Sequence, residues 1–203
     1  MLHDGPDTRS VLIELAPGGT LPAHRHHEHG ECVVLRGEAR LGELVLRQGD
    51  YHVAPKDSRH GAVASRDGAL LYLRGVPIGD PLEVARDLVS AWVPGKDVAP
   101  ITVRADEGRW LDLLPGVRTK PLWKDGAAQS MLIRMQPGAR VPGHPHVIDE
   151  ECLMLEGEMF LGDTLMRGGD YRLAPAGTDD GDDVSDVGAL FFVRGAMDPA
   201  PAP

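Results

Sequence analysis

The sequence predicts an all-β fold, two tandem barrels joined by a helical linker. Three observations carry that reading. A shift of 120 residues overlays Leu2–Gly75 on Leu122–Gly195 without a gap, with 29 of 74 positions identical; a repeat of this length is a duplicated structural unit. Each copy is a succession of short Val-, Leu- and Ile-rich runs separated by Gly and Pro, the spacing of a sandwich or barrel. A helical period occurs only between the copies.

In the first copy Val11-Leu12-Ile13-Glu14-Leu15 is a strand ended by Pro17-Gly18-Gly19. Cys32-Val33-Val34-Leu35 runs to Gly37, Leu44-Val45-Leu46 to Gly49-Asp50, and Tyr51-His52-Val53-Ala54 to Pro55. Leu70-Leu71-Tyr72-Leu73 closes the unit. These segments recur 120 residues later with their punctuation intact, as in Gly169-Asp170-Tyr171 and Ala174-Pro175. Between the copies Asp80 is an N-cap candidate, Pro81 suits the first helical position and Glu83 the capping box. Leu82, Ala85, Leu88, Val89 and Trp92 then share one helical face until Pro94-Gly95. Residues 101–121 read as extra strands leading into the second barrel. They have no counterpart before Leu2, so the first barrel is expected to lack its opening strands and to need a cover for that edge. The expected division is a first barrel over 1–78, a linker over 79–100, a second barrel over 101–196 and a disordered tail over 197–203.

Composition narrows the function. A formal net charge of −10 argues against nucleic acid or an anionic membrane surface, because phosphate binding needs clustered Lys and Arg. No apolar run approaches the ~18 residues of a membrane span, and residues 1–10 have no apolar signal core. A cytoplasmic protein is expected. Cys32 and Cys152 have no Cys-x-x-Cys partners and read as small buried hydrophobes of a reducing compartment. No Gly-x-Ser-x-Gly or phosphate-loop pattern occurs.

The chemistry-bearing residues are histidines. Residues two apart on a strand face the same side, so His24 with His26, and His144 with His146, each present two imidazoles together. Such pairs suit Zn, Fe, Ni, Cu or Mn. Later strands offer His60, five residues after Pro55, and Asp180, five after Pro175. Glu150 follows His146 by four residues, whereas the aligned position of the first copy is Gly30. There Glu31 could take the carboxylate role if the hairpin shifts by one residue, Glu28 or His29 could substitute, or three His with waters could suffice. Asp180 lies in Asp179-Asp180-Gly181-Asp182-Asp183, and a solvated acidic turn is as good a reading as a ligand. The candidate metal ligands are thus His24, His26, Glu31, His60, His144, His146, Glu150 and Asp180.

These spacings resemble the cupin superfamily, whose first motif is Gly-x5-His-x-His-x3,4-Glu-x6-Gly. Gly138, His144, His146, Glu150 and Gly157 match it in full; Gly18, His24 and His26 match its first part. The second motif, Gly-x5-Pro-x-Gly-x2-His, is met loosely, with Asp57 for its second Gly in the first copy and Asp180 for its His in the second. ECVVLRGE and EECLMLEGE, then GDYHVAP and GDYRLAP, look most like ChrR-like cupins and acetylacetone-dioxygenase-like bicupins. The resemblance implies two double-stranded β-helix (jelly-roll) barrels and a divalent transition metal, Fe(II) or Zn, with Mn or Ni also compatible. It implies either an Fe(II)-type dioxygenase for a small β-diketone-like or hydroxylated substrate, or a non-catalytic Zn-binding sensor or ligand module. The zinc-binding anti-sigma helix of ChrR has no counterpart here. A homodimer is expected from the uncovered edge. Val33, Leu35, Val45 and Tyr72, or their strand neighbours, are the candidate pocket lining.

Overall fold

The computed structural model describes residues 1–5, 8–26, 28–75, 82, 85, 89, 99–179 and 181–196. They form two compact units, Met1–Glu107 and Gly108–Pro203. The first contains β1 (His3–Asp4), β2 (Arg9–Leu15), β3 (Thr20–Leu21), β4 (His24–Arg25), β5 (Gly30–Leu41), β6 (Leu44–Arg47), β7 (Tyr51–Ala54), β8 (Arg59–His60), β9 (Val63–Ala64), β10 (Ala69–Arg74) and β11 (Ile101–Val103). The second contains β12 (Leu111–Leu114), β13 (Val117–Asp125), β14 (Ala128–Met135), β15 (Ala139–Val141), β16 (Glu150–Leu161), β17 (Thr164–Arg167), β18 (Tyr171–Ala174), β19 (Asp183–Ser185) and β20 (Ala189–Ala196).

The pairing is that of a jelly roll in each unit. In the first, β1-β2-β10-β5-β7-β11 forms one wall, and the far half of β5 pairs with β6 and β9, with β3 beyond β9. In the second, β12-β13-β14-β20-β16-β18 corresponds, with β17, β19 and β15 opposite. The long strands β5 and β16 serve both walls by bending. Their register shifts between Leu70 and Leu71, and between Met154 and Glu156, next to Gly37 (φ 76°) and Gly157 (φ 75°). A Cβ at either glycine would lie about 2 Å from the carbonyl oxygen of Gly68 or Gly188, at 2.2 and 2.0 Å respectively, so no larger residue fits the bend. Alternation beyond the bend sorts the side chains. Val34, Ala39, Leu46 and Leu71 pack inside the first barrel, while Val33, Tyr51, Val53 and Tyr72 are buried on its outer face. The second interior is sulfur-rich: Met131, Met135, Met154, Met159, Met166 and Cys152 pack with Phe191.

Two expectations about boundaries change. Ile101–Val103 does not open the second barrel. It pairs with Tyr51–Val53 of the first, and the next residues are fastened there too. Asp50 accepts hydrogen bonds from the Arg104 guanidinium (2.8 Å) and the Ala105 N–H (2.8 Å); Arg104 also reaches the Val45 carbonyl. A nearly buried carboxylate needs such donors, and this segment supplies them beside the Arg47 N–H. The first barrel also has an opening strand, but a short one: β1 pairs only with Ser10 and Arg9, whereas nine-residue β13 pairs along all of β14. Of the expected linker helix, Leu82, Ala85 and Val89 are helical and exposed; its remaining residues and the tail 197–203 lie outside the described residues. Among those described, no helix is long and apolar enough to cross a membrane.

Candidate metal centres

In the second barrel, the chain leaves β15 through Pro142-Gly143 and brings His144 and His146 to the barrel mouth just before β16 begins at Glu150. Ligand atoms of His144, His146 and Glu150 all lie within 4.8 Å of one another. The imidazoles meet edge to face, centroids 5.1 Å apart. His146 is buried; its Nδ1 is tied to the Thr178 carbonyl (3.1 Å) and hydroxyl (3.3 Å). Its Nε2 lies 3.6 Å from Glu150 Oε1. Holding one ring nitrogen so that the other faces the ion is the usual device for orienting a ligating histidine. His144 Nδ1 lies toward the Pro142 carbonyl (3.5 Å).

Room for the carboxylate comes from Gly195. A Cβ there would sit 2.5 Å from Glu150 Oε2 and 2.8 Å from its Cγ. The donor set, two nitrogens and one carboxylate converging on one point, fits a divalent transition metal with open positions. Asp180 lies outside the described residues. Its neighbour Asp179 bridges to Pro145, the same register as Arg59 opposite Arg25 in the first copy.

The first barrel keeps the plan and changes the donors. His24 and His26 rings lie 4.8 Å apart at 62°, and His24 Nδ1 is 3.0 Å from the Pro22 carbonyl. His24 and His60 are direct cross-strand neighbours on β4 and β8, so the topology brings the third histidine of the sequence to the first. The second-motif glycine is Asp57, in the left-handed region (φ 69°). Asp tolerates that region better than most residues, and here its carboxylate pairs with Arg25 at 3.0 Å while its N–H binds the His26 carbonyl.

Gly30 faces the barrel interior against His26, where a Cβ would come within 2.5 Å of the imidazole. Glu31 is therefore on the opposite face, and its expected role as a metal ligand is corrected. It is buried, accepts a hydrogen bond from Tyr51 Oη (2.7 Å) and lies 3.5 Å from the Arg74 guanidinium. Its repeat counterpart Glu151 does the same with Tyr171 (2.8 Å). The hairpin does not slip by one residue because slipping would reverse every side chain of β5. Glu28 is likewise engaged elsewhere, with Lys56 at 2.7 Å, a pairing that raises the Lys56 pKa.

A cavity of about 50 Å³ adjoins His24 and His26, bounded by Gly30, Glu31, Cys32 and His52 and by aliphatic side chains. The lining includes Leu71 and Leu73 rather than Val33 or Tyr72, which alternation turns outward. Cys32 is a neutral thiol, its pKa pushed up to about 12 by burial. His52 is not among the ligand candidates drawn from the sequence, and its counterpart is Arg172; its place on the inward face of β7 is the available signal.

The model of the ChrR cupin-like domain matches residues 1–78 and 98–197. The chain belongs to the ChrR cupin-like family. No curated protein matches it. Solved structures share the cupin fold across nearly the whole chain. A candidate dioxygenase from Nostoc punctiforme has a TM-score of 0.76 at 19% identity, covering 96% of this chain and 71% of that one. A variant of salicylate 1,2-dioxygenase from Pseudoaminobacter salicylatoxidans has a TM-score of 0.68 at 15% identity, covering 94% and 72%. The oxalate decarboxylase of Bacillus subtilis, described with Mn(II) centres, has a TM-score of 0.63 at 18% identity, covering 96% and 70%. At these identities the likeness establishes the fold and not the reaction.

Proposed function

We propose that this bicupin binds a divalent transition metal in each barrel and that the first barrel is an Fe(II)-type dioxygenase centre for a small β-diketone-like or hydroxylated substrate. The observation that carries the choice of barrel is the cavity beside His24 and His26. We assign His24, His26 and His60 as the ligands there, and His144, His146 and Glu150 in the second barrel. A metal so held would supply Lewis acidity and a path for electrons between substrate and O₂. The chain's own residues orient the imidazoles through Pro22 and Thr178, keep water out with aliphatic walls, and leave Glu31 and Glu151 to brace the sheets. The dioxygenases among the structural relatives support the reading. The family match favours a second reading, a non-catalytic Zn-binding ligand module.

Metal analysis of anaerobically purified protein, with oxygen uptake on β-diketones and dihydroxylated aromatics, decides between them. Iron with substrate-dependent uptake, abolished by His24→Ala and retained in His144→Ala, is expected. Tightly held zinc without uptake would establish the ligand module. We also propose a homodimer, supported by the outer edge of β2, where β1 is the one paired strand among the described residues; a monomer by sedimentation would refute it.

A further inference from the structure

We propose that His52 recognises the ligand of the first barrel and that this ligand is a small organic anion. The inference rests on the first barrel holding a metal, as proposed above, and deepens that reading. His52 is 4% exposed and faces inward, directly across from Cys32 on β5 and Thr102 on β11. It bounds the same cavity as His24 and His26, in a wall made largely of Leu, Val and Ala, where the carboxylate of Glu31, also in the lining, is engaged by Tyr51 and Arg74. Ligand pockets combine such apolar walls with a few placed polar groups that fix orientation. Its Nδ1 is 2.9 Å from Thr102 Oγ1, so the ring is held at a set angle by a strand that follows the linker. The second copy places Arg172 at this position, again a side chain able to donate hydrogen bonds and carry positive charge.

Charge supplies the second, independent line. Three neutral imidazoles leave a divalent ion its full charge, whereas Glu150 offsets part of it in the second barrel, and Gly30 supplies nothing comparable. The residues around the two mouths diverge in the same direction. Arg25 and Arg59 face each other beside the His24–His60 pair, with Lys56 nearby at the His29 ring. The aligned residues are Pro145, Asp179 and Ala176, and Asp149 adds further negative charge at the second mouth, where Asp182 is paired with Arg140. Asp57 and Glu28 pair with Arg25 and Lys56, so the first mouth carries cationic groups with their partners while the second is acidic. Different charge around two copies of one barrel favours different ligands.

The test is calorimetric titration of zinc-loaded full-length protein with acetylacetonate and with the neutral analogue 2-pentanone, alongside metal stoichiometry. Comparison with His24→Ala reports the first centre. Acetylacetonate is expected to bind and 2-pentanone not. His52→Leu should weaken acetylacetonate at least ~10-fold without changing zinc content, as loss of a hydrogen bond to a charged ligand requires. His52→Gln, which keeps a donor, should stay within ~3-fold of wild type, and Thr102→Val should fall between. Unchanged affinity in His52→Leu, equal binding of 2-pentanone, or no acetylacetonate binding to a zinc-filled first centre each overturns the proposal. Loss of zinc in His52→Leu also overturns it, by making His52 a metal ligand. A wild-type first centre that takes up no metal overturns the proposed function itself, and this inference with it.

Discussion

Gly195→Ala separates the fold from the second metal centre. The backbone of Gly195 lies outside the left-handed region, so alanine is conformationally acceptable there. A Gly-to-Ala change at such a site restricts the unfolded chain and favours folding by about 0.4–1 kcal/mol. The new methyl would nevertheless begin 2.5 Å from Glu150 Oε2 and 2.8 Å from Cγ. The Glu150 side chain has to move from Cγ outward, a flexible side chain rather than backbone, so the cost to the fold is small while the proposed third ligand leaves His144 and His146. Mutation of the groups that position a metal ligand typically weakens binding ~10–100-fold, about 1.4–2.8 kcal/mol. The assay is chelator competition on protein carrying His24→Ala and His26→Ala, so that the second centre alone reports, with thermal unfolding of the metal-free form in parallel. The expected result is weaker metal binding with an equal or slightly higher Tm for the metal-free protein. A dissociation constant unchanged within ~3-fold would refute the placement of Glu150 as a ligand. A Tm lowered by many degrees would refute the claim that the carboxylate yields cheaply.

Gly30→Glu, which completes the cupin motif on paper, should empty the first centre rather than improve it, since its Cβ alone meets the His26 ring at 2.5 Å; metal stoichiometry rising to full occupancy would contradict this. Tyr51→Phe removes the hydroxyl that donates to buried Glu31 and should cost about 1.5–3 kcal/mol in urea unfolding with metal content intact; lost metal at unchanged stability would restore Glu31 as a ligand. Burial alone would raise the pKa of Asp50, but the Arg47 and Ala105 N–H groups and the Arg104 guanidinium hold it below its ordinary 3.8. Its contribution is therefore present above pH 3.8 and disappears as pH falls through the lower folded-state value. Asp50→Asn should lower stability at neutral pH and flatten the acid limb of a stability–pH curve below pH 4, and an unchanged acid limb would show that the carboxylate is not the linked group.

Much of this was legible because a duplication supplies its own control. His24-x-His26 and His144-x-His146 stand out once the copies are overlaid, and the full cupin motif through Glu150 and Gly157 located the preassembled donor set. What escaped was decided by contacts distant in sequence. The attachment of Ile101–Val103 to the first barrel depends on Asp50 needing donors more than fifty residues away, which no local pattern announces. Glu31 was ambiguous because a single step along a strand reverses its face, and only the packing of Gly30 on His26 fixes which step is taken. His52 falls outside any shared ligand pattern because its counterpart is Arg172, and only its place in the cavity wall gives it a role.

The two copies also warn against equating identity with shared purpose. Gly75 and Gly195 align, each within Arg-Gly, and would be read as one retained feature. In the second barrel the glycine is small so that Glu150 can turn toward the histidines. In the first there is no carboxylate to accommodate: Gly75 adopts φ 75° and a Cβ on it would meet the His29 carbonyl at 2.0 Å, so the loop carrying His29 has closed over the space. Positions 30 and 75 therefore form one unit of change and 150 and 195 another. Restoring a carboxylate at position 30 requires moving the His26 ring, and the His29 carbonyl already lies where a Cβ on Gly75 would begin, a group that cannot rotate away as a side chain can. The lack of a carboxylate at position 30 is thus tied to the packing of the first barrel, and a single substitution there does not turn one mouth into the other.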